Sequence, residues 1–289
     1  MTDQSDALNV ACSVPALQLN NGVAIPQIGF GTYQIPEETT CQVVLSAFEV
    51  GYRHIDTAQM YRNEQGVGQA LAQSGLARDE VFITSKLNNT FHARQAALDE
   101  TDRTLERLGV DQMDLYLIHW PLPGIDIDYV ETWQAMVEIY EAGKARAIGV
   151  SNFTAEHIER LLAASGHVPA VNQIEVHPYM SNNPLRAFNA RQGIVTEAWS
   201  PLARGGDLLA NPVLTLIAQQ LGRTVAQVVL RWHVQRGDVV FPKSAHRGRM
   251  AENFALFDFS LTADQMAQID ALNRNERTGP DPDTFNVLR

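Results

Sequence analysis

Gly51-Tyr52-Arg53-His54-Ile55-Asp56-Thr57-Ala58-Gln59-Met60-Tyr61-Arg62-Asn63-Glu64 is the stretch on which the organisation of this chain turns. A short strand-like run, Arg53 to Ile55, ends in a carboxylate at Asp56, and a tyrosine follows five residues later in a polar loop. Three later strand-like runs lead to Lys86, His119 and Asn152. If these strands are parallel neighbours, their polar ends share one rim.

Working outward, the same rhythm extends in both directions. Asn20-Asn21-Gly22 is a turn signal between the short runs Ala16–Leu19 and Val23–Ile25, which reads as a β-hairpin. Ile28 to Gly31 is a first buried strand. Beyond it, strands at Arg53–Ile55, Val81–Thr84, Asp114–Ile118, Ala147–Val150, Ala170–Ile174, Ile194–Thr196 and Val239–Phe241 alternate with helical patterns. Those helices carry their own signals: Val43, Val44, Ala47 and Phe48 on one face, a second from Glu64 to Ala72, and stops at Gly109, Gly143 and Gly222. Thr154 reads as an N-cap, Asn183-Pro184 and Asn211-Pro212 as cap-plus-first-turn pairs, and Thr262 as the start of a last helix. Eight strands alternating with helices, with no linker-like break, predict an α/β fold of the (β/α)8 TIM-barrel type, although periodicity alone leaves an open sheet possible. The leading hairpin and extra helices after strand seven and at the C-terminus are additions. Residues 1–13 read as a disordered tail, and 14–289 as one barrel domain.

Composition narrows the partners. Among 289 residues, 33 acidic side chains against 22 basic ones give a formal charge of −11, which argues against nucleic acid or an anionic membrane as the main partner. Two cysteines, Cys12 and Cys41, without paired metal-ligand spacing, favour free thiols over a disulfide and suggest no metal site. The N-terminus lacks a signal-peptide pattern, and no apolar run approaches the roughly 20 residues of a membrane span. A cytoplasmic protein, and a monomer, are expected.

In a barrel of this type the active site lies at the C-terminal ends of the strands. Those ends carry Thr32-Tyr33, Asp56, Lys86, His119-Trp120, Ser151-Asn152, Gln173 with Glu175, Trp199-Ser200 and Lys243-Ser244. Singly, each has an ordinary role: Asp56 as a cap, Lys86 as a solvated terminus, His119 as a core histidine, Tyr61 as packing. Together, eight polar ends on one rim suggest a site. Asp56 then holds the Lys86 ammonium charged, and that ammonium acidifies Tyr61. A unit charge about 4 Å from a phenolate at an effective dielectric near 20 is worth roughly 4 kcal/mol. That lowers a tyrosine pKa from about 10 toward 7, with desolvation opposing.

At this point the chain resembles the aldo-keto reductase superfamily, and within it is similar to actinobacterial 2,5-diketo-D-gluconate reductase-like enzymes. The resemblance rests on Gly51 to Ala58, Leu117-Ile118-His119-Trp120-Pro121, Ile148-Gly149-Val150-Ser151-Asn152-Phe153, Asn172-Gln173-Ile174-Glu175, Phe241-Pro242-Lys243-Ser244 and Glu252-Asn253, and spans Leu17 to Phe285. It implies a catalytic tetrad of Asp56, Tyr61, Lys86 and His119, with Tyr61 as proton donor and His119 orienting a carbonyl. It implies Ser151, Asn152 and Gln173 on the nicotinamide carboxamide, Trp199 stacked on the ring, and Ser200, Leu202 and the Arg204-Gly205-Gly206 loop over the pyrophosphate. Lys243, Ser244 and Arg249 match contacts to a 2′-phosphate, which favours NADPH, and Glu252 and Asn253 match adenine contacts. A lysine and an arginine six residues apart, around the start of a helix, are a local phosphate site on an acidic protein. Gly66-Val67-Gly68 lies in a helical pattern rather than after a strand, so no Rossmann fingerprint is present.

The expected activity is NADPH-dependent reduction of a small carbonyl substrate, with Tyr33, Asn88 and Trp120 lining the pocket. Two departures stand out. Asn88-Asn89 follow Lys86-Leu87 where the family often has tryptophan, and His246 stands where close relatives carry arginine. The chain ends soon after Phe285, so its C-terminal loop is expected to be short. The alternatives are a lyase in which Lys86 forms a Schiff base and a non-catalytic nicotinamide-binding subunit.

Overall fold

The computed structural model describes residues 14–288; the expected tail at 1–13 lies outside the described residues. The hairpin comes first, β1 (Ala16–Gln18) paired antiparallel with β2 (Ala24–Pro26). Eight parallel strands follow: β3 (Phe30–Gly31), β4 (His54–Asp56), β5 (Phe82–Leu87), β6 (Met113–Ile118), β7 (Ala145–Ser151), β8 (Val171–Glu175), β9 (Val195–Trp199) and β10 (Val239–Val240). Each pairs with the next in chain order. Ile28 bridges Val240 in parallel, Gly29 N donates to Val240 O (2.9 Å) and Val240 N donates to Gln27 O (3.2 Å), which closes the sheet on itself. The expected (β/α)8 barrel is therefore what forms.

Two apolar layers explain the closure. Leu115 and Leu117 of β6 face a central cluster with Phe82, Ala147, Val171, Val239 and Phe241, and Leu19 and Ile25 from the hairpin segment complete it. Tyr116 and Ile118, one residue out of phase, join the larger outer cluster with the helices. This is the period-two alternation of a strand covered on both faces. The hairpin thus packs its apolar side into the barrel's central cluster.

The outer helices are α1 (Glu37–Val50), α2 (Glu64–Gln73), α3 (Arg94–Leu108), α4 (Tyr129–Glu141), α5 (Ala155–Ser165), α6 (Asn183–Arg191), α7 (Pro212–Leu221), α8 (Val225–Gln235), α9 (Arg247–Phe254) and α10 (Ala263–Asp270). Local signals set most of their ends. Thr154, Thr224 and Thr262 form capping boxes, Asn211 accepts from Val213 N and Leu214 N, and Gly109 and Gly222 close helices in left-handed conformation. One cap moves: Asn182, not Asn183, precedes α6, because the Asn183 side-chain oxygen accepts from Arg236 Nη2 (2.5 Å) instead of capping. Gly66 and Gly68 serve helix packing. A Cβ on Gly68 would stand 2.5 Å from Arg107 O at the end of α3. Among the described residues no single helix is long and apolar enough to cross a membrane.

Candidate active site

Tyr61 reaches the rim through a built turn. β4 ends at Asp56, Thr57 N donates to Thr84 O (2.9 Å), and a single 3-10 turn, Gln59–Tyr61, follows, closed by Arg62 in left-handed conformation. Asn63, fully buried, anchors it: its Nδ2 donates to Thr32 O (2.9 Å) and Ile35 O (3.1 Å), and its Oδ1 accepts from Thr57 Oγ1 (2.9 Å). Gln59 donates to Thr104 Oγ1 (2.6 Å) and Tyr116 OH (3.0 Å), and accepts from Asn88 N (2.7 Å). The turn is thereby locked to β3, α3, β6 and the loop after β5.

Lys86 is not a solvated strand terminus. It lies inside β5, which runs three residues past the expected Thr84, and it is fully buried. Its Nζ donates to both Asp56 oxygens (2.7 Å each), to Thr57 O (3.0 Å) and to Tyr61 OH (3.4 Å). Burial opposes the Lys86 charge, but the Asp56 and Tyr61 charges and the Asp56 hydrogen bonds together lift its pKa above the ordinary lysine value. An ammonium held this way is a poor amine nucleophile, and nothing in this geometry supports a Schiff base.

The expected acidification of Tyr61 does not occur in the ligand-free protein. Burial pushes the phenol up to about 12; the Lys86 charge pulls down, and the Asp56 charge pushes up again. A lone ammonium would acidify the phenol, but this one is already neutralised by a carboxylate 2.7 Å away. His119, just past β6, has its ring 5.7 Å from the Tyr61 ring, edge to face. Burial first and then the Lys86 charge hold its pKa well below 6.5, so the imidazole is neutral. Its Nδ1 is enclosed without a hydrogen-bond partner among the described residues. A stranded N–H costs more than a stranded lone pair, so we assign the proton to Nε2. Asp56, Lys86, Tyr61 and His119 thus form one cluster: a buried ammonium, a protonated phenol and a neutral imidazole donor.

Next to this cluster the residues expected around a nicotinamide form a second network. Ser151 Oγ donates to Gln173 O (2.9 Å), Asn152 Nδ2 donates to His119 O (2.9 Å), and Trp199 Nε1 donates to Asn152 Oδ1 (2.8 Å). Asn152 has φ 66°, a left-handed turn taken as the chain leaves β7. Gln173 Nε2 donates to Asp56 Oδ2 (2.8 Å), which ties the two networks together. Past Trp199, Ser200, Ala203, Arg204, Gly205 and Gly206 all have positive φ, a sharply folded loop that includes Leu202. Lys243 and Arg249 flank the start of α9; both are exposed and make no ion pair among the described residues. Ser244 is buried, with its Oγ accepting from His246 N (3.0 Å), and His246 stands exposed at the helix entry. Glu252 Oε1 accepts from Thr224 Oγ1 (2.9 Å), and Asn253 is buried on the same helix. Two unpaired cations beside a helix N-terminus suit a phosphate monoester.

The expected pocket residues divide. Tyr33 is half exposed with its ring 5.1 Å from that of Tyr61. Trp120 is buried under Phe285, ring centroids 4.4 Å apart. Asn88 is half buried, with Oδ1 enclosed and unpartnered. The segment from Thr278 to Val287 crosses the rim. Thr278 N and Gly279 N donate to Glu175 (2.6 and 3.2 Å), Gly279 packs on Trp199, Gly124 N donates to Asn286 Oδ1 (2.6 Å), and Asn89 Nδ2 donates to Val287 O (2.9 Å). Sequence reasoning missed this span, and it missed Glu197, a fully buried carboxyl that accepts from Gln173 Nε2 (2.8 Å). Strand alternation was the available signal: Glu197 lies two residues before Trp199 and so shares its face.

A barrel whose C-terminal rim gathers lysine, carboxylate, tyrosine and histidine, beside amides and a tryptophan, invites comparison with known carbonyl-reducing barrels. The Aldo/keto reductase family model matches residues 27–274, and the chain belongs to that family. It is 49% identical to an aldo-keto reductase of Mycolicibacterium smegmatis, covering 94% of this chain and 98% of that one. It is 46% identical to the methylglyoxal reductase DkgA of Escherichia coli, covering 93% and 97%. Among solved structures, it is similar to a Bombyx mori aldo-keto reductase in complex with NADP (TM-score 0.89, 40% identity, 94% and 97% covered).

Proposed function

We propose that this protein is an NADPH-dependent oxidoreductase that reduces small aldehydes, ketones and dicarbonyls, methylglyoxal-like compounds and keto sugars among them. The observation that carries this reading is the Lys86 ammonium 3.4 Å from the Tyr61 hydroxyl, clamped by Asp56 and beside the neutral imidazole of His119. Membership of the family supports the reaction class, the NADP of the Bombyx mori relative the cofactor, and the methylglyoxal reductase of Escherichia coli the dicarbonyl end of the substrate range.

When bound, NADPH supplies the hydride that reduces the carbonyl carbon. Ser151, Asn152 and Gln173 would hold its carboxamide, Trp199 would flank the nicotinamide, and Ser200, Leu202 and the Arg204–Gly206 loop would hold the pyrophosphate. Lys243, Ser244 and Arg249 take the 2′-phosphate, and Glu252 and Asn253 the adenine. Their chemistry fits: unpaired cations for the phosphate, amide and hydroxyl groups for the carboxamide.

His119 Nε2–H donates to the carbonyl oxygen and orients it, and Tyr61 delivers its phenolic proton as charge builds there. A phenol with a pKa of about 12 still protonates an alkoxide, which is a much stronger base. Lys86 stabilises the resulting phenolate, and Asp56 keeps Lys86 charged. Tyr33 and Trp120 wall the pocket with aromatic surface and Asn88 gives it a polar side, a pairing that suits a small, partly polar carbonyl compound. The same reading takes the protein as a cytoplasmic monomer, in keeping with its sparse cysteines.

The test is Tyr61→Phe. It should bind NADPH as the wild type does and lose about 10²–10⁴-fold in carbonyl reduction. A variant that keeps most of its rate would overturn the assignment and make His119 the acid. A panel of methylglyoxal, diketones, keto sugars and aryl aldehydes places the substrate range.

A further inference from the structure

Glu197 has no part in the reaction described above, yet it is bound into the site. It sits opposite Gln173 in the β8–β9 register and opposite Val239 in the β9–β10 register. Gln173 Nε2 donates one hydrogen to Glu197 Oε2 (2.8 Å) and the other to Asp56 Oδ2 (2.8 Å). The alternative orientation would set the amide oxygen against the Asp56 carboxylate, which accepts only, so Asp56 fixes which way the amide faces and Glu197 takes its second hydrogen. Only the amide oxygen of Gln173 is then left to meet a ligand. Glu197 Oε1 is enclosed with no hydrogen-bond partner among the described residues.

Charge is the second observation. Asp56 and His54 of β4 and Lys86 of β5 are the titratable groups facing the barrel interior near Glu197. β8 offers the neutral Gln173 and, two residues on at the rim, the Glu175 carboxylate, held low against burial by His177 and Thr278, while β10 and the hairpin offer the apolar Val239, Phe241, Leu19 and Ile25. Burial holds His54 neutral, with a pKa of about 3. Lys86 is already balanced by Asp56, so a second carboxylate would have no counter-charge. Burial, and then the charge of Asp56, push Glu197 up to about 8.

We propose that Glu197 is a positioning residue for the cofactor face: with Asp56 it clamps the Gln173 amide so that its oxygen meets the nicotinamide carboxamide, and its proton keeps this wall neutral for the uncharged, reduced ring. Loss of that proton adds a negative charge, which favours the cationic oxidised ring over the reduced one. The inference rests on the reading of Gln173 as a carboxamide ligand.

Two measurements test it. The first is an infrared pH titration of the ligand-free protein. Wild type should lose a protonated-carboxyl band near pH 8 that Glu197→Gln lacks throughout. The second is the ratio of dissociation constants for NADPH and NADP+ from pH 6.5 to 9.5, in which the shared 2′-phosphate cancels. The ratio should rise about tenfold with pH in the wild type, the order of one unit charge appearing in a protein interior. In Glu197→Gln it should stay flat. A flat wild-type ratio, or a carboxyl band that persists in Glu197→Gln, overturns the proposal, and the wild-type measurements decide it even where the variant fails to fold. Failure of both cofactors to bind at any pH would refute the NADPH reading instead, while the ligand-free titration would still report on Glu197.

Discussion

Replacing Asp56 by asparagine tests the charge arrangement most directly. Two contacts of 2.7 Å between Lys86 and the Asp56 carboxylate represent roughly 6 kcal/mol of gross attraction at an effective dielectric near 20. Removing one member of a buried pair commonly costs about 3–5 kcal/mol, because the remaining charge is left without compensation. Here a second carboxyl group stands in reserve. Burial first and then the Asp56 charge keep Glu197 protonated; with that charge gone the second is relieved, and Lys86 attracts Glu197 unshared. Asp56→Asn should therefore lose only about 2 kcal/mol, with the fuller 3–5 kcal/mol appearing when Glu197→Gln is added. Urea unfolding of the wild type, both single variants and the double variant at neutral pH gives the coupling from a double-mutant cycle. The expected coupling is about 1–3 kcal/mol. Additivity within about 0.5 kcal/mol would show that the two carboxyl groups do not share Lys86, and the reasoning would fail.

Three further outcomes follow from the same structure. Gly68→Ala puts a methyl group 2.5 Å from Arg107 O and 2.7 Å from Leu108 O, both backbone. It should destabilise by about 1–3 kcal/mol despite alanine's better helix propensity, and a raised Tm would refute the close α2–α3 approach. Glu197→Gln should gain stability over the wild type as pH rises. The folded pKa of about 8 lies above the ordinary 4.5, so the Glu197 contribution is fully present below pH 4.5 and is lost as pH climbs through 8. The gap should reach at most about 5 kcal/mol and then level off, and a gap independent of pH in urea unfolding would contradict the assigned proton. The paired variant Lys243→Ala/Arg249→Ala should weaken NADPH by about 10–100-fold and NADH hardly at all, as read by fluorescence titration; equal losses for both would remove these cations from the 2′-phosphate.

What the amino-acid sequence made legible was whatever chain-local chemistry decides. The eight strands, the capping threonines and the glycine stops could be read because each depends on a few neighbouring residues. The clustering of Asp56, Tyr61, Lys86 and His119 could be anticipated because strand ends of a parallel barrel meet on one rim. Errors arose where a distant partner outbid a local preference. Asn183 looked like a cap until Arg236, 53 residues away, took its oxygen. β5 runs to Leu87 rather than stopping at Thr84, because the expected pairing of Lys86 with Asp56 on the neighbouring strand makes a lysine tolerable inside it. The C-terminal segment held no pattern of its own; its course follows from Glu175, Trp199, Trp120 and Asn89, none of them near it in the chain.

The reversed shift of Tyr61 has the same origin and says something about how the site works. A lysine beside a tyrosine suggests an acidified phenol, but here the ammonium is already neutralised, and burial dominates. With Glu197 protonated, the ligand-free cluster around Tyr61 and Gln173 is one ion pair, Lys86 with Asp56, and is close to neutral. A neutral site binds a neutral carbonyl and a protonated phenol without electrostatic conflict. In the reaction proposed above, the ammonium becomes valuable only as negative charge develops on the substrate oxygen and passes to Tyr61. Interactions that strengthen only along that path lower the barrier rather than merely tightening the bound state. A phenol acidified to 7 would be half deprotonated near neutral pH and to that extent unable to donate. In the proposed reaction, its high ligand-free pKa would keep Tyr61 protonated until the carbonyl oxygen takes the proton.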